Sequence, residues 1–438
     1  MKIVNRQWNL SEFMQFCRRP SALFSHFFIW QVLVITVYIG SRKREEIEPI
    51  FSNGLYLGLI SLSTLLLTIH LVFMKINTKL DLSDKLFITF FSLPSIVLYL
   101  SMFIHHDFAS MQSLTLLFIL LAPIFIWLSP SDKKENANFL KLILYFSVLN
   151  VIFSVLQYMQ IMPVAQLNTR ESLSTLIDRP TGLLFNAFAM SYAAIVCLAI
   201  GLNQFLKNKK LNKPGLIIFL TSLIAIFLSG TRTSLWLTFL ISISIVLVHI
   251  NIFSKIQTKA IPIILILIGA GAPFILLFIG SKTGNVEWAT LNGRTQMWSC
   301  VDQKIGELIP LGVGLDEAFP PKFCADSGWF SNLRHPENMF LLSLVESGPL
   351  GFLSYVSLFI FTLWISIKAL GKKYILPLAI TVTFLLSCLI YVSLFHYLPF
   401  LPNRPADRGI FNFHFFYLVW VWVLRETKKS IKETDLSR

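Results

Sequence analysis

Apolar runs of about twenty residues, separated by short polar connections, recur along the whole of this chain and fix its solvent as lipid. A helix rises about 1.5 Å per residue, so roughly 20 apolar residues cross a bilayer's hydrocarbon core. Runs of this kind lie near 22–40, 55–74, 86–104, 112–129, 142–162, 183–205, 215–229, 234–253, 261–280, 345–369, 374–395 and 411–424, the last being the shortest. Only 14% of the 438 residues are charged while 55% are hydrophobic, against roughly 25% charged in an ordinary soluble domain. The expected fold class is therefore all-α: a polytopic integral membrane protein of about 12 transmembrane helices. Arg18 and Arg19 precede the first run, but no small-residue cleavage site follows it, so it reads as a retained anchor.

Orientation follows from the basic residues. With twelve spans both termini lie on one side, and 24 of the 37 Lys and Arg residues fall on that side against 13 opposite. Such an excess marks the cytoplasm. It also explains the net charge of +14 without nucleic acid, which is not an expected partner. The predicted organisation is a cytoplasmic segment 1–21, transmembrane helices 1–9 over 22–280, a long external loop 281–337, helices 10–12 over 338–424, and a cytoplasmic tail 425–438. That loop holds Cys300 and Cys324, two of only five cysteines. Two thiols in one external loop are a candidate disulfide in an oxidising periplasm.

The chemistry-bearing residues gather on the same outer face. Arg232 sits in the tight turn Gly230-Thr231-Arg232-Thr233-Ser234, and Arg294 in Asn292-Gly293-Arg294-Thr295. Arg334 and His335 precede Pro336-Glu337-Asn338. Arg404 and Arg408 precede the last run, and Arg170 and Arg179 flank an earlier outer loop. A guanidinium grips phosphate through a planar fork, so converging arginines at the lipid boundary suit a lipid diphosphate; headgroup contact is the simpler alternative for Arg170, Arg179 and Arg404. His335 and Glu337 form the one close His/carboxylate pair outside, and either could take a proton from a sugar hydroxyl. A loop ion pair with Arg334 is the plainer reading. Trp298, Trp288 and Trp329 could stack on sugar rings or simply sit at the interface. No P-loop, zinc spacing, nucleophile elbow, EF-hand or DxD pattern occurs, so neither cofactor nor metal is expected. Within the apolar runs the one carboxylate is Glu346, which argues against an ion-coupled transporter.

Several of these stretches together resemble the O-antigen ligase/polymerase superfamily. They are Arg179-Pro180-Thr181-Gly182 with Asn186, Ser229-Gly230-Thr231-Arg232-Thr233-Ser234, Gly293-Arg294 followed by Trp298, Leu311-Gly312-Val313-Gly314, Glu337-Asn338-Met339-Phe340-Leu341 and Glu346-Ser347-Gly348-Pro349-Leu350-Gly351. They span roughly 175–365 in the family's order; elsewhere the match is only hydrophobic. The resemblance implies a GT-C-like glycosyltransferase of the bacterial inner membrane with a periplasmic active face. Its donor would be a glycan on undecaprenyl diphosphate, transferred with inversion and without metal, and it would admit a chain-length regulator as a further partner. Glu337, His335 and Arg232 become the catalytic candidates; Arg232, Arg294, Arg334, Arg408, Trp298 and Asn338 become the diphosphate and glycan contacts. Ligase members typically carry His immediately before the Asn of the loop-end motif. Here Glu337 holds that slot and His335 lies two residues earlier, which favours a polymerase of surface polysaccharide (O-antigen or capsule). The alternatives are an O-antigen ligase acting on lipid A–core and, outside enzymes, a flippase for lipid-linked sugar.

Overall fold

The computed structural model describes residues 18–40, 65–66, 68–74, 79–105, 121–129, 132–162, 179–184, 187–207, 212–250, 260, 282, 294–314, 338–371, 374–390 and 410–436. Among these the regular structure is helical, with no strand. In chain order the helices are α1 (Pro20–Gly40), α2 (Leu82–Ile104), α3 (Lys133–Tyr158), α4 (Ala187–Lys207), α5 (Lys213–Ser229), α6 (Arg232–Ile250), α7 (Arg294–Gln303), α8 (Met339–Leu370), α9 (Leu376–Ile390) and α10 (Ile410–Leu436), with a 3-10 turn at Ile305–Leu308 after α7. Residues 68–73 and 121–128 are also helical. By length and composition, Leu82–Ser101, Lys133–Tyr158, Ala187–Lys207, Thr233–Ile250 and Met339–Leu370 can cross a membrane.

Helices fall on the expected apolar runs, apart from 261–280, which lies outside the described residues; the runs at 55–74 and 112–129 are described only in part. Three differences have physical causes. The stretch expected as loop, 281–337, contains α7, a helix too polar to register as an apolar run. The run expected to start at 183 begins later: residues 179–184 are not helical and α4 starts at Ala187. The last run, expected to end at 424, continues as helix to Leu436, because hydropathy marks where lipid ends and not where a helix ends.

Local chemistry starts α2 and α3. Asp81 and Asp84 form a capping box on α2, with Asp84 N–H donating to Asp81 Oδ1 at 2.8 Å and Asp81 N–H to Asp84 Oδ2 at 3.1 Å. Asp132 caps α3 through the Glu135 N–H at 2.7 Å. The first turn of α1 borrows its acceptor from another helix, since Ser21 N–H donates to Glu135 Oε2 at 3.0 Å. These contacts belong to a polar layer at one end of the bundle. Lys428 of α10 pairs with Asp81 at 3.1 Å and with Asp84, while Trp127 Nε1 donates to Asp84 Oδ1 at 2.7 Å. Arg425 donates to the Ser129 carbonyl, and Asn136 Nδ2 to Glu426 Oε2 at 2.8 Å.

The centre of the bundle is α4, whose residues are buried on nearly every side, as expected of a helix apolar all round. Its approach to α5 depends on two glycines: a Cβ on Gly201 would lie 2.7 Å from Phe219 N, and one on Gly215 2.9 Å from Phe205 N. Small residues at crossings let membrane helices touch backbone to backbone. On the other side Trp420 of α10 stacks on Phe384 of α9 at 4.8 Å between ring centroids and on Phe359 of α8 at 5.7 Å. Its indole N–H donates to Thr381 Oγ1 at 2.9 Å.

The other end of the bundle is shaped by a kink in α8. Pro349 cannot give an N–H to the Val345 carbonyl four residues back, and Gly348 leaves helical geometry with φ +67°. The freed Val345 carbonyl accepts from Val313 N–H at 2.8 Å. The adjoining Glu346 carbonyl accepts from Ser101 Oγ of α2 at 2.6 Å, and that hydroxyl lies 3.3 Å from the Leu311 carbonyl. The 308–314 segment is thus seated in the notch of α8, so close that a Cβ on Gly348 would lie 2.4 Å from Pro310 O and one on Gly312 2.4 Å from Val345 O. Gly348→Ala and Gly312→Ala should each destabilise the protein by about 3 kcal/mol through backbone strain and overlap, whereas Ser101→Ala should cost about 1 kcal/mol. Unfolding midpoints in detergent would rank the three, and equal shifts would contradict the notch.

Candidate functional site

The turn between α5 and α6 is built from its own short side chains. Gly230 closes α5 in the left-handed region at φ +61°, a conformation that costs Gly nothing sterically. The Ser229 and Thr231 hydroxyls lie 2.8 Å apart, and Ser229 Oγ accepts from Thr231 N–H at 3.3 Å. Ser234 Oγ returns to the Thr231 carbonyl at 2.7 Å. The chain therefore reverses within two residues, and Arg232 becomes the first residue of α6. Free N–H groups and the positive end of the helix dipole lie there. Thr233 Oγ1, one residue on, is buried and has no hydrogen-bond partner among the described residues. The side chain of Arg232 lies outside what is described.

Arg179 comes to the same turn from a distant part of the chain. A Cβ on Gly230 would lie 3.7 Å from Arg179 Nε and 3.9 Å from its Cδ. The segment carrying Arg179 is non-helical and buried from Pro180 to Leu184, and α3 holds it. Gln157 Oε1 accepts from Thr181 N–H and from Gly182 N–H, each at 2.8 Å, and Asn150 Oδ1 accepts from Leu183 N–H at 2.9 Å. Gly182, at φ +57°, lies so close that a Cβ would meet Asn150 Oδ1 at 2.2 Å. Arg179 thus lies beside the Gly230 turn, where the sequence leaves headgroup contact as the simpler alternative to a diphosphate. The available signal was the pair Asn150 and Gln157, amides on one helical face in a largely apolar run.

A second grouping is carried by α7. Arg294 is its first residue, Trp298 lies one turn on and is half-buried, and Cys300 is buried; the Arg294 side chain lies outside the described part. Cys300 is disulfide-bonded, and its partner lies outside the described residues; Cys197 and Cys388 are free. After α7 the 3-10 turn buries Leu308 and leads into the notch of α8. Asn338 caps that helix, its Oδ1 accepting from Phe340 N–H at 3.0 Å and Leu341 N–H at 3.2 Å.

Arg334, His335, Glu337, Cys324, Arg170, Arg404, Arg408, Trp288, Trp329 and Asn186 lie outside the described residues. Among the described residues no group of three or more His, Cys, Asp or Glu could hold a metal ion. In SDS without reductant, Cys300 should resist alkylation, and Cys324→Ser should render it reactive. Protection persisting in that variant would move the partner to Cys17, the remaining cysteine.

Residues 217–356, about a third of the chain, match the family model Wzy_C, O-antigen ligase. No curated protein matches the chain. The matched stretch starts in α5 and takes in the Gly230 turn, Arg232, α7, the 308–314 segment, the α8 cap at Asn338 and the kink at Gly348. Through these residues the chain is similar to O-antigen ligases, and the match supports the O-antigen ligase/polymerase superfamily to which its motifs pointed.

Proposed function

We propose that this chain is a surface-polysaccharide polymerase, for O-antigen or capsule, that joins undecaprenyl-diphosphate-linked repeat units at the periplasmic face of the bacterial inner membrane. It would have twelve spans and cytoplasmic termini. The observation that carries the reading is Arg179 beside the Gly230–Arg232 turn, inside a chain that matches a family named for transfer of a glycan. Two arginine positions at one helix start are suited to a dianionic leaving group.

In the proposed reaction an acceptor sugar hydroxyl attacks the anomeric carbon of the donor glycan. The new C–O bond forms as the bond to the diphosphate oxygen breaks. Undecaprenyl diphosphate leaves with the electron pair, and the anomeric centre inverts. Arg232 and Arg179, with Arg294 and Arg408, offset the charge that develops on the leaving oxygen, which is electrostatic stabilisation of the transition state. Glu337 or His335 takes the acceptor proton. Glu337 directly precedes the α8 cap residue Asn338, and the positive end of a helix dipole favours an ionised carboxylate, the form a base needs. Arg334, Trp298 and Asn338 would contact the glycan. The diphosphate is already an activated leaving group, so the step draws on no metal or cofactor. The ligase reading is favoured by the name of the matched family; loss of the gene separates the two. A polymerase mutant leaves single repeat units on lipid A–core, and a ligase mutant leaves polymer on the lipid carrier.

Arg232→Ala should preserve protein level and abolish long glycan chains, with about a hundredfold loss of transfer; an unchanged ladder on a gel would remove Arg232 from the diphosphate site. Of Glu337→Gln and His335→Ala, one should dominate the loss. Equal and mild effects would exclude both as base.

A further inference from the structure

We infer that Gln157, together with Asn150, is a positioning residue: it holds the 179–184 segment so that Arg179 stands at the Gly230 turn and engages the diphosphate of the lipid-linked substrate. This rests on the diphosphate reading above. Three consecutive backbone N–H groups, those of Thr181, Gly182 and Leu183, are each taken by a side-chain oxygen of α3 at 2.8, 2.8 and 2.9 Å. Such bonds fix the course of a buried, non-helical stretch, because N–H groups hidden from water demand partners. Gln157 also turns its amide nitrogen back on the same segment, 3.3 Å from Thr181 Oγ1 and 3.4 Å from the Gly182 carbonyl. Gln157, Asn150 and Thr181 are each at most 2% exposed, so the clamp does not touch substrate itself. Between clamp and arginine lies Pro180, whose ring fixes φ. Thr181 is two residues from Arg179, and a shift at Thr181 therefore carries straight to the guanidinium.

The same geometry separates positioning from mere support. A residue that only stabilises the bundle would lower affinity for any ligand whether or not Arg179 is present. A residue that acts through Arg179 has no effect once the guanidinium is gone. The distinction is a coupling between two changes, which a double-mutant cycle measures.

The experiment uses the full chain in detergent and the binding of radiolabelled undecaprenyl diphosphate. Gln157→Met keeps the side-chain length and removes the acceptor; it should weaken binding about tenfold. Gln157→Glu keeps an oxygen for both N–H groups and, protonated at this buried position, an O–H donor in place of Nε2, and should stay within about threefold of the parent. Arg179→Ala should weaken binding about tenfold or more, and adding Gln157→Met to it should cost less than about twofold further. Parent-like binding by Gln157→Met, or the same tenfold loss in the Arg179→Ala background, overturns the inference. If Gln157→Met does not fold, Gln157→Glu carries the test: loss of binding as large as in Arg179→Ala, with an unchanged unfolding midpoint, also overturns it. If Arg179→Ala binds as the parent does while Arg232→Ala does not, the positioning role fails and the diphosphate reading stands. If both bind as the parent does, both fail.

Discussion

Hydrocarbon offers no partner to a peptide N–H or C=O, and each group left unpaired there costs several kcal/mol. Helices meet that demand within themselves, which is why a chain this apolar is built from them. The informative places are those where backbone leaves the helix inside the bundle. Two are described. At Gly348–Pro349 the carbonyls of Val345 and Glu346 are released and are taken up by Val313 N–H and Ser101 Oγ. At 181–183 three N–H groups are freed and are taken up by Gln157 and Asn150. In both, the partner comes from a distant part of the sequence, so each break becomes a joint between elements. The α8 kink joins α2, α8 and the 308–314 segment; the 179–184 segment joins α3 to the Gly230 turn. Strain of this sort persists only where the surroundings over-determine it, and it concentrates at functional sites.

The two ends of the bundle use polar residues in opposite ways. At the end holding the starts of α1, α2 and α3, charged side chains find partners: Lys428 with Asp81 and Asp84, Arg425 with Glu426 and the Ser129 carbonyl, and Glu426 with Asn136. Such a layer fixes how helices enter the bundle. Removing Lys428 would strand the buried Asp84 carboxylate at a cost of about 3–5 kcal/mol, so the layer reads as scaffold. At the other end the polar contacts are mostly neutral hydroxyls and amides that shape backbone, and they lie around Arg179, Arg232 and the cap at Asn338. The first end closes on itself through charged side chains, whereas at the second the starts of α6 and α8 and the Arg179 guanidinium lie among neutral groups that shape backbone.

How much of this was legible depended on how far apart the cooperating residues stand. The apolar runs at 142–162 and 345–369 follow from hydropathy, which reports lipid contact, whereas the helices over them start earlier, at Lys133 and Met339, after the caps Asp132 and Asn338. The Gly230 turn was also legible, since Ser229, Gly230, Thr231 and Ser234 make it among themselves. Helix α7 was not, because Arg294–Gln303 is polar and carries no apolar period strong enough to separate it from loop. The kink left its mark in Gly348-Pro349, but hydropathy runs straight across it. For Arg179 the sequence left headgroup contact as the simpler alternative, because what places it is the Gln157–Thr181 contact, 24 residues apart in the chain. A buried amide in an apolar run has no local purpose, and that lack was the clue.

This difference in range also bears on where the functional unit ends. The family match covers 217–356, the part whose geometry is mostly local: the Gly230 turn, α7, the Asn338 cap and the kink. Arg179 and the α3 amides that hold its segment precede that match. If the guanidinium beside Gly230 takes part in gripping the diphosphate, Asn150, Gln157 and residues 179–184 belong to the site as much as Arg232 does, although the family match covers only the later part. A motif records contacts between near neighbours in sequence. A clamp made across a helix-to-segment interface, with one glutamine accepting two N–H groups, leaves no comparable trace and has to be read from packing.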